Sequence, residues 1–208
     1  MFYVLKYDIK DVSEFTDEEL EKYFSYMCDS RKVKVKKLKN ELSIRCTIAG
    51  EIIARKLLSG VTGKTPEYFI ITIDCNGKPQ IKNHEGLFFN ISHSESKIAV
   101  VVSDEEIGID IEVIRPYSLR LAKKICNEKE LLYILGHHPD ESEFIKNAGK
   151  DILHRFFEVW TAKEAYFKCI GTGLPSPGKL KALSLDFPKT KIENAEYVLH
   201  IVKISDIT

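Results

Sequence analysis

Along the first half of the chain, apolar positions recur alternately at the spacing of strands and the spacing of helices. Residues 2–8 read as a short strand. From Asp17 onward Leu20, Tyr23, Phe24 and Met27 return at helical intervals, behind Thr16, a residue type that caps helix starts. Leu42 to Leu58 predicts a longer helix, with Ile44, Ile48 and Ile52 along one stripe. Gly60 and Gly63 predict its end. Phe69 to Ile73 is aromatic and β-branched, a strand. Asn76-Gly77-Lys78-Pro79 has turn chemistry, because Asn-Gly tolerates positive φ and Pro fixes the exit.

In the second half, the apolar runs Ile98 to Val102 and Ile107 to Val113 flank polar Asp104-Glu105-Glu106, which predicts a β-hairpin. Leu119 to Leu135 reads as one helix broken at Gly136, and 136–149 as a polar surface loop. Asp151 to Ile170 predicts a strong helix, stopped by Gly171, Gly173 and Pro175. Leu180 to Ile204 alternates well enough for two or three strands. Both halves combine helices with strands, and the division falls near residue 105, giving 1–105 and 106–208. The class is α+β or α/β, and periodicity alone does not choose between them.

Composition narrows the partners. The 208 residues are 44% hydrophobic and 30% charged, an ordinary globular balance. Lys+Arg and Asp+Glu both number 31, so no net field draws the chain to nucleic acid or to a membrane surface. Five scattered cysteines without a CxxC pair read as reduced thiols in a cytoplasmic protein. Charge interrupts the N-terminus too early for a signal peptide, and no run approaches the roughly 18 apolar residues of a membrane span.

Several stretches carry candidate chemistry. In Gly108-Ile109-Asp110-Ile111-Glu112, strand alternation puts Asp110 and Glu112 on one side and the isoleucines on the other. Two adjacent carboxylates either meet solvent or hold a cation between them, and Mg²⁺ suits such hard oxygen ligands. In Trp160-Thr161-Ala162-Lys163-Glu164-Ala165-Tyr166-Phe167-Lys168, the residues Trp160, Glu164 and Lys168 share one helix face. Glu164 is there either a surface ion-pair partner or a part-buried acid that needs a cation. Asn90-Ile91-Ser92-His93-Ser94 sets a His between hydroxyls that suit a phosphate oxygen. Six of the nine residues 31–39 are Lys or Arg, either a solvated face or a contact to phosphates. Two further patterns are weak. Gly60 to Thr65 lacks the first P-loop glycine at Leu58, and His137-His138 with Asp140 and Glu141 lacks helical His spacing.

Taken in order, Phe89-Asn90-Ile91-Ser92-His93-Ser94, then Gly108-Ile109-Asp110-Ile111-Glu112, then Trp160-Thr161-Ala162-Lys163-Glu164-Ala165 with Lys168, resemble the Sfp-type 4′-phosphopantetheinyl transferases. The likeness covers about residues 28 to 175. It implies an α+β, sandwich-like fold of two similar halves related by a pseudo-two-fold, a monomer with coenzyme A in the cleft between the halves. It implies transfer of the phosphopantetheine arm to a serine of an apo acyl or peptidyl carrier protein, with no nucleic-acid or membrane partner. By the same resemblance Asp110, Glu112 and Glu164 bind Mg²⁺. Arg31, Lys34, Thr47, Lys78, Ser92, His93 and Lys168 contact coenzyme A. Glu164 and Lys168 stand at the reaction, and Glu130 lies where some members place a carboxylate that helps activate the serine. One departure is that Cys46 precedes Thr47-Ile48-Ala49-Gly50-Glu51 where the family has Arg, with Arg45 displaced by one position. On a helix one residue turns the side chain by about 100°.

Overall fold

The computed structural model describes residues 5–116, 119–138, 149–173, 175–184 and 190–207. Strand β1 (Leu5–Asp11) leads into helix α1 (Asp17–Tyr26), whose first turn is capped by the Thr16 side chain accepting from the Glu19 N–H. The basic run is largely helical. It forms helix α2 (Asp29–Lys36), with Arg31 and Val35 turned inward and the remaining lysines outward. Helix α3 (Glu41–Thr62) runs through Gly60 and ends at Gly63, where φ is +71°. Of the two glycines expected to end it, Gly63 does so, because its missing Cβ permits the left-handed cap. The short strands β2 (Ile71–Ile73) and β3 (Pro79–Ile81) pair across the Asp74–Lys78 turn, with Gly77 at φ +84°.

Strands β4 (Phe88–Ser94) and β5 (Lys97–Ser103) form a hairpin. β5 is the centre of a sheet ordered β1-β5-β4, so both its edges are filled. That is why strand β6 (Ile107–Val113) cannot fold back onto β5 as the sequence suggested. It joins instead a second antiparallel sheet, ordered β6-β8-β7, with β7 (Thr190–Glu193) and β8 (Tyr197–Lys203). The expected helix from 119 to 135 is two: α4 (Leu119–Ile125) and α5 (Glu128–Leu135). They break at Asn127, which forms a capping box with Glu130. Helix α6 (Lys150–Ile170) follows, then α7 (Pro177–Ala182), which takes part of the tail expected as strand. The expectations for residues 2–4, for the loop beyond 138 and for 185–189 lie outside the described residues.

Burial places the layers. The outer face of the first sheet (Ile98, Val100 and Val102) packs with α1 and α3 through Leu20, Ile52, Ile53 and Leu58. The second core joins α4, α5 and α6 through Leu119, Ile134, Phe156 and Phe157. Between the sheets, Ala99 and Val101 of β5 meet Ile107, Ile109 and Ile111 of β6 and Leu199 and Ile201 of β8. The result is a mixed α+β protein with two packed sheets and a long helix outside each. No helix of the described residues is long and apolar enough to cross a membrane.

Candidate active site

The alternation of β6 sends its isoleucines into the inter-sheet core and turns Gly108, Asp110 and Glu112 toward α6. Gly108 sets the distance between strand and helix. A Cβ there would lie 2.0 Å from the Ala165 carbonyl oxygen and 2.4 Å from the Cys169 nitrogen. That close approach brings Glu164 and Lys168 of α6 against Asp110. The Asp110 side chain is 3% exposed, and its Oδ1 accepts from Ser92 Oγ at 2.7 Å and from Lys168 Nζ at 2.5 Å. Lys168 also stands 3.7 Å from Glu164. Asp110 Oδ2 is buried without a partner among the described residues.

The electrostatics of the cluster point one way. Burial pushes the Glu164 carboxyl up to about 7, helped by the charge of Asp110 and opposed by Lys168. Burial likewise raises Asp110 against the pull of Lys168, with Glu112 adding to the rise. Burial would lower Lys168, yet Asp110 and Glu164 hold its ammonium above the ordinary lysine range. Asp110, Glu164 and Lys168 alike hold their protons more tightly than usual. Three carboxylates against the Lys168 ammonium and the Arg115 guanidinium leave one negative charge that a further cation would balance.

Glu112 is held by the neighbouring strand. Its Oε2 accepts from Ser94 Oγ at 2.6 Å and Arg115 Nη1 at 2.8 Å, and its Oε1 from Trp160 Nε1 at 3.3 Å. Ser94 Oγ also accepts from the Val113 N–H, and Asn90 Oδ1 from the Ile109 N–H. Asn90, Ser92 and Ser94 thus lace β4 to β6 by side chains where no backbone ladder exists. Sequence reasoning passed over Asn90, Ser94 and Arg115 as site residues. The period-two row of short polar side chains at 90, 92 and 94 was the readable signal.

A cleft of about 360 Å³ opens beside this cluster, lined by Arg31, Lys34, Thr47, Lys78, His93 and Lys168 among others. Ser92 sits just behind it, donating to Asp110. Lys78 bonds Glu106 at 2.5 Å and the Cys169 carbonyl at 2.9 Å, while Asn76 donates to the Gly171 carbonyl at 2.8 Å. The β2–β3 turn thereby covers carbonyls at the C-terminal end of α6, which lack helical partners. Lys34 donates to the Gly77 carbonyl at 3.3 Å. Burial, then the Arg31 charge, lowers its pKa, with Asp74 opposing. His93 is open to the cleft, but loss of hydration to the surrounding walls, then the Lys168 charge, lowers its pKa against Glu112. Thr47 donates to the Ser43 carbonyl within its own helix.

Two groups sit elsewhere. Arg45 pairs with Asp17 and donates to the Phe15 carbonyl, on the α1 side of α3, and does not line the cleft. Glu130 closes the Asn127 capping box and receives Lys163 Nζ at 2.7 Å, so its carboxylate is already committed away from the cleft. Of the pair His137-His138 with Asp140 and Glu141, the two acids lie outside the described residues. Among the described residues, the one group of His, Cys, Asp and Glu side chains with ligand atoms within 4.8 Å of one another is His154, Glu158 and Glu193. There Lys191 pairs with both acids and already supplies the positive charge. The oxygens of Asp110, Glu112 and Glu164 stand wider apart, with Lys168 bridging Asp110 and Glu164.

A strand bearing two carboxylates thus packs against a helix bearing a third, beside a cationic cleft, and the same segment is the one that comparison with known proteins picks out. Residues 106–203, which hold β6 and α6, match the family model of the 4′-phosphopantetheinyl transferase superfamily. The chain is similar to 4′-phosphopantetheinyl transferase psf-1 of Bacillus pumilus, 27% identical over 76% of this chain and 62% of the relative. It is similar to 4′-phosphopantetheinyl transferase Sfp of Bacillus subtilis (strain 168), 27% identical over 78% of this chain and 68% of the relative. It is also similar to 4′-phosphopantetheinyl transferase AcpT of Escherichia coli (strain K12), 37% identical over 56% of this chain and 55% of the relative. The match thus spans between about half and two thirds of each relative's own length.

Proposed function

We propose that the protein transfers the 4′-phosphopantetheine arm of coenzyme A to a serine of an apo acyl or peptidyl carrier protein, with Mg²⁺, releasing 3′,5′-adenosine bisphosphate. The observation that carries this reading is the acidic cluster of Asp110, Glu112 and Glu164 at the end of a cleft walled by cations. Its orphaned, buried Asp110 Oδ2 and its surplus of negative charge fit a divalent cation. Asp110, Glu112 and Glu164 would hold that ion, which would supply charge neutralisation at the pyrophosphate when bound.

The chain's own groups do the rest. Arg31, Lys34, Lys78 and His93 bind phosphates, with the Thr47 and Ser92 hydroxyls beside them. Lys168 places its ammonium where charge grows on the transferring phosphoryl group. Glu164 accepts the proton of the attacking serine, as a carboxylate on the same helix face as Lys168. Glu130 is better read as an anchor for Lys163 than as a base. Two similar halves, 1–105 and 106–208, are supported by a three-stranded sheet and a helix of 22 or 21 residues in each. Such a pair supports a monomer with the cleft between its halves, and five free cysteines support a reducing cytoplasmic setting.

Intact mass spectrometry of two or three apo carriers incubated with coenzyme A and Mg²⁺ tests the proposal. The carrier should gain one phosphopantetheine arm, and the gain should vanish with EDTA or when the acceptor serine is replaced by alanine. A folded protein that neither binds coenzyme A nor modifies any carrier would refute it.

A further inference from the structure

Three charged side chains of the first half are buried beside the cleft: Arg31 of α2 at 4% exposure, and Glu51 and Arg55 of α3 at 1% each. Two guanidiniums share one carboxylate, so the group keeps one positive charge without an internal counter-charge. Buried charge of that kind is costly unless something balances it. The sharing is unequal. Glu51 Oε1 accepts from Arg55 Nε at 3.1 Å and Nη2 at 2.8 Å, while Oε2 accepts only from Arg31 Nε at 3.1 Å. Arg55 donates further to the carbonyls of Pro66 at 3.1 Å and Phe69 at 2.7 Å, so its place does not depend on Glu51. Arg31 has no other hydrogen-bond partner among the described residues, and its side chain forms part of the cleft wall.

We infer that Glu51 is a positioning residue, which grips Arg31 through Nε and leaves the two Nη groups as a fork for an anion in the cleft. The surplus charge of the triad is balanced when that anion binds. A guanidinium fork matches a phosphate, whose oxygens accept two parallel N–H bonds. Resting on the function proposed above, the anion is a phosphate of coenzyme A.

Glu51→Gln tests the grip. The amide keeps the shape but offers one acceptor and one donor in place of two acceptors. Its oxygen stays with Arg55, which donates twice and is anchored elsewhere, and its NH₂ then faces Arg31 Nε, donor against donor. Titration calorimetry with coenzyme A should show Kd raised about tenfold, the worth of one charge-assisted hydrogen bond. In the transfer assay KM for coenzyme A should rise with it, while kcat changes by less than about threefold, because the lost contact acts on binding. In an Arg31→Met background, Glu51→Gln should add less than about twofold, since the two residues act through one contact.

A purely structural Glu51 predicts otherwise: the melting temperature and the binding stoichiometry fall, the folded fraction keeps the wild-type Kd, and the loss persists without Arg31. Any of these three binding outcomes overturns the inference. Should Glu51→Gln fail to fold, Arg31→Lys supplies the reading. A single ammonium cannot both hold Glu51 and present a fork, so Kd should again rise about tenfold, and a wild-type Kd would overturn the inference. Absence of coenzyme A binding by the wild-type protein would instead bring down the functional proposal on which the inference rests.

Discussion

Replacing Gly108 by alanine adds one methyl group at the place where β6 and α6 come closest. That methyl would sit 2.0 Å from the Ala165 oxygen, against an ordinary contact distance of at least 3.4 Å, so strand and helix must part by about 1.4 Å. Both obstructing atoms, Ala165 O and Cys169 N, are backbone atoms of α6, so no rotamer change relieves the contact. Overpacking with no soft neighbour belongs near the top of its usual range, about 3 kcal/mol, which lowers Tm by roughly 6–12 °C in a chain of this size. The same displacement carries Glu164 and Lys168 away from Asp110. A shift of about 1 Å at a reacting centre costs on the order of 100-fold in turnover. Calorimetric unfolding and carrier modification followed by mass, both at 25 °C on the folded variant, give the two readings. A Gly108→Ala protein that loses under about 1 kcal/mol and keeps a third of the wild-type kcat would refute the claim that this approach positions the site.

Asp110→Asn should abolish detectable transfer while the protein stays folded, and should remove the stabilisation by Mg²⁺ seen in thermal unfolding of the wild type. Retained Mg²⁺ stabilisation would mean that the orphaned Oδ2 does not mark the cation's place. Lys163 Nζ donates to the Ile125 and Leu180 carbonyls and to Glu130, so Lys163→Met removes three hydrogen bonds at once and leaves the Glu130 carboxylate without its cation. Breaking such a buried pair should cost about 3–5 kcal/mol in denaturant unfolding, and a loss under about 1 kcal/mol would show that α4, α5 and α7 are held by other means. Burial pushes the His200 imidazole down to about 4, so between pH 6.5 and 4 the unfolded chain binds the proton and the folded chain does not. Stability should therefore be full above pH 6.5 and fall as pH drops toward 4, by about 3 kcal/mol at most. His200→Asn should flatten that part of the urea-midpoint profile, and an unchanged slope would assign it to other groups.

What the sequence made legible follows from what local patterns can encode. The alternation in β6 showed that Asp110 and Glu112 share a face, and the helical spacing of Glu164 and Lys168 showed that they share another. Neither pattern says that the two faces meet, because that depends on Gly108 and on which sheet β6 joins. The hairpin expected between Ile98 and Val113 failed for the same reason. Apolar runs separated by a polar turn announce strands, but one edge of β5 was taken by β4 and the other by β1, whose Leu5 pairs with Ser103 far along the sequence. The break at Asn127 was readable, since Asn127-Glu128-Lys129-Glu130 is a capping-box spacing, yet the apolar rhythm ran through it and hid it. Glu130 shows the limit most clearly. Its capping role was local and visible, whereas its buried partner Lys163 lies 33 residues on, and only that partner explains why the carboxylate is committed.

The distribution of charge ties the two halves into one reading. The first half brings Arg31 and Lys34 to the cleft, and the Arg31–Glu51–Arg55 group is left one charge positive. The second half brings the carboxylates of Asp110, Glu112 and Glu164, which outnumber the cations Lys168 and Arg115 set against them. Neither end is balanced alone, and moving side chains cannot cancel them, because Arg31 and Asp110 are each fixed by buried partners. A ligand that carries several phosphates and a divalent cation together would satisfy both ends at once. A simple anion would leave the carboxylates uncompensated, and a metal alone would leave the guanidinium so. Coenzyme A bound with Mg²⁺ has that composition. Binding of the two should accordingly be cooperative: each should tighten the other by the same factor in calorimetry, and independent binding would contradict this account of the cleft.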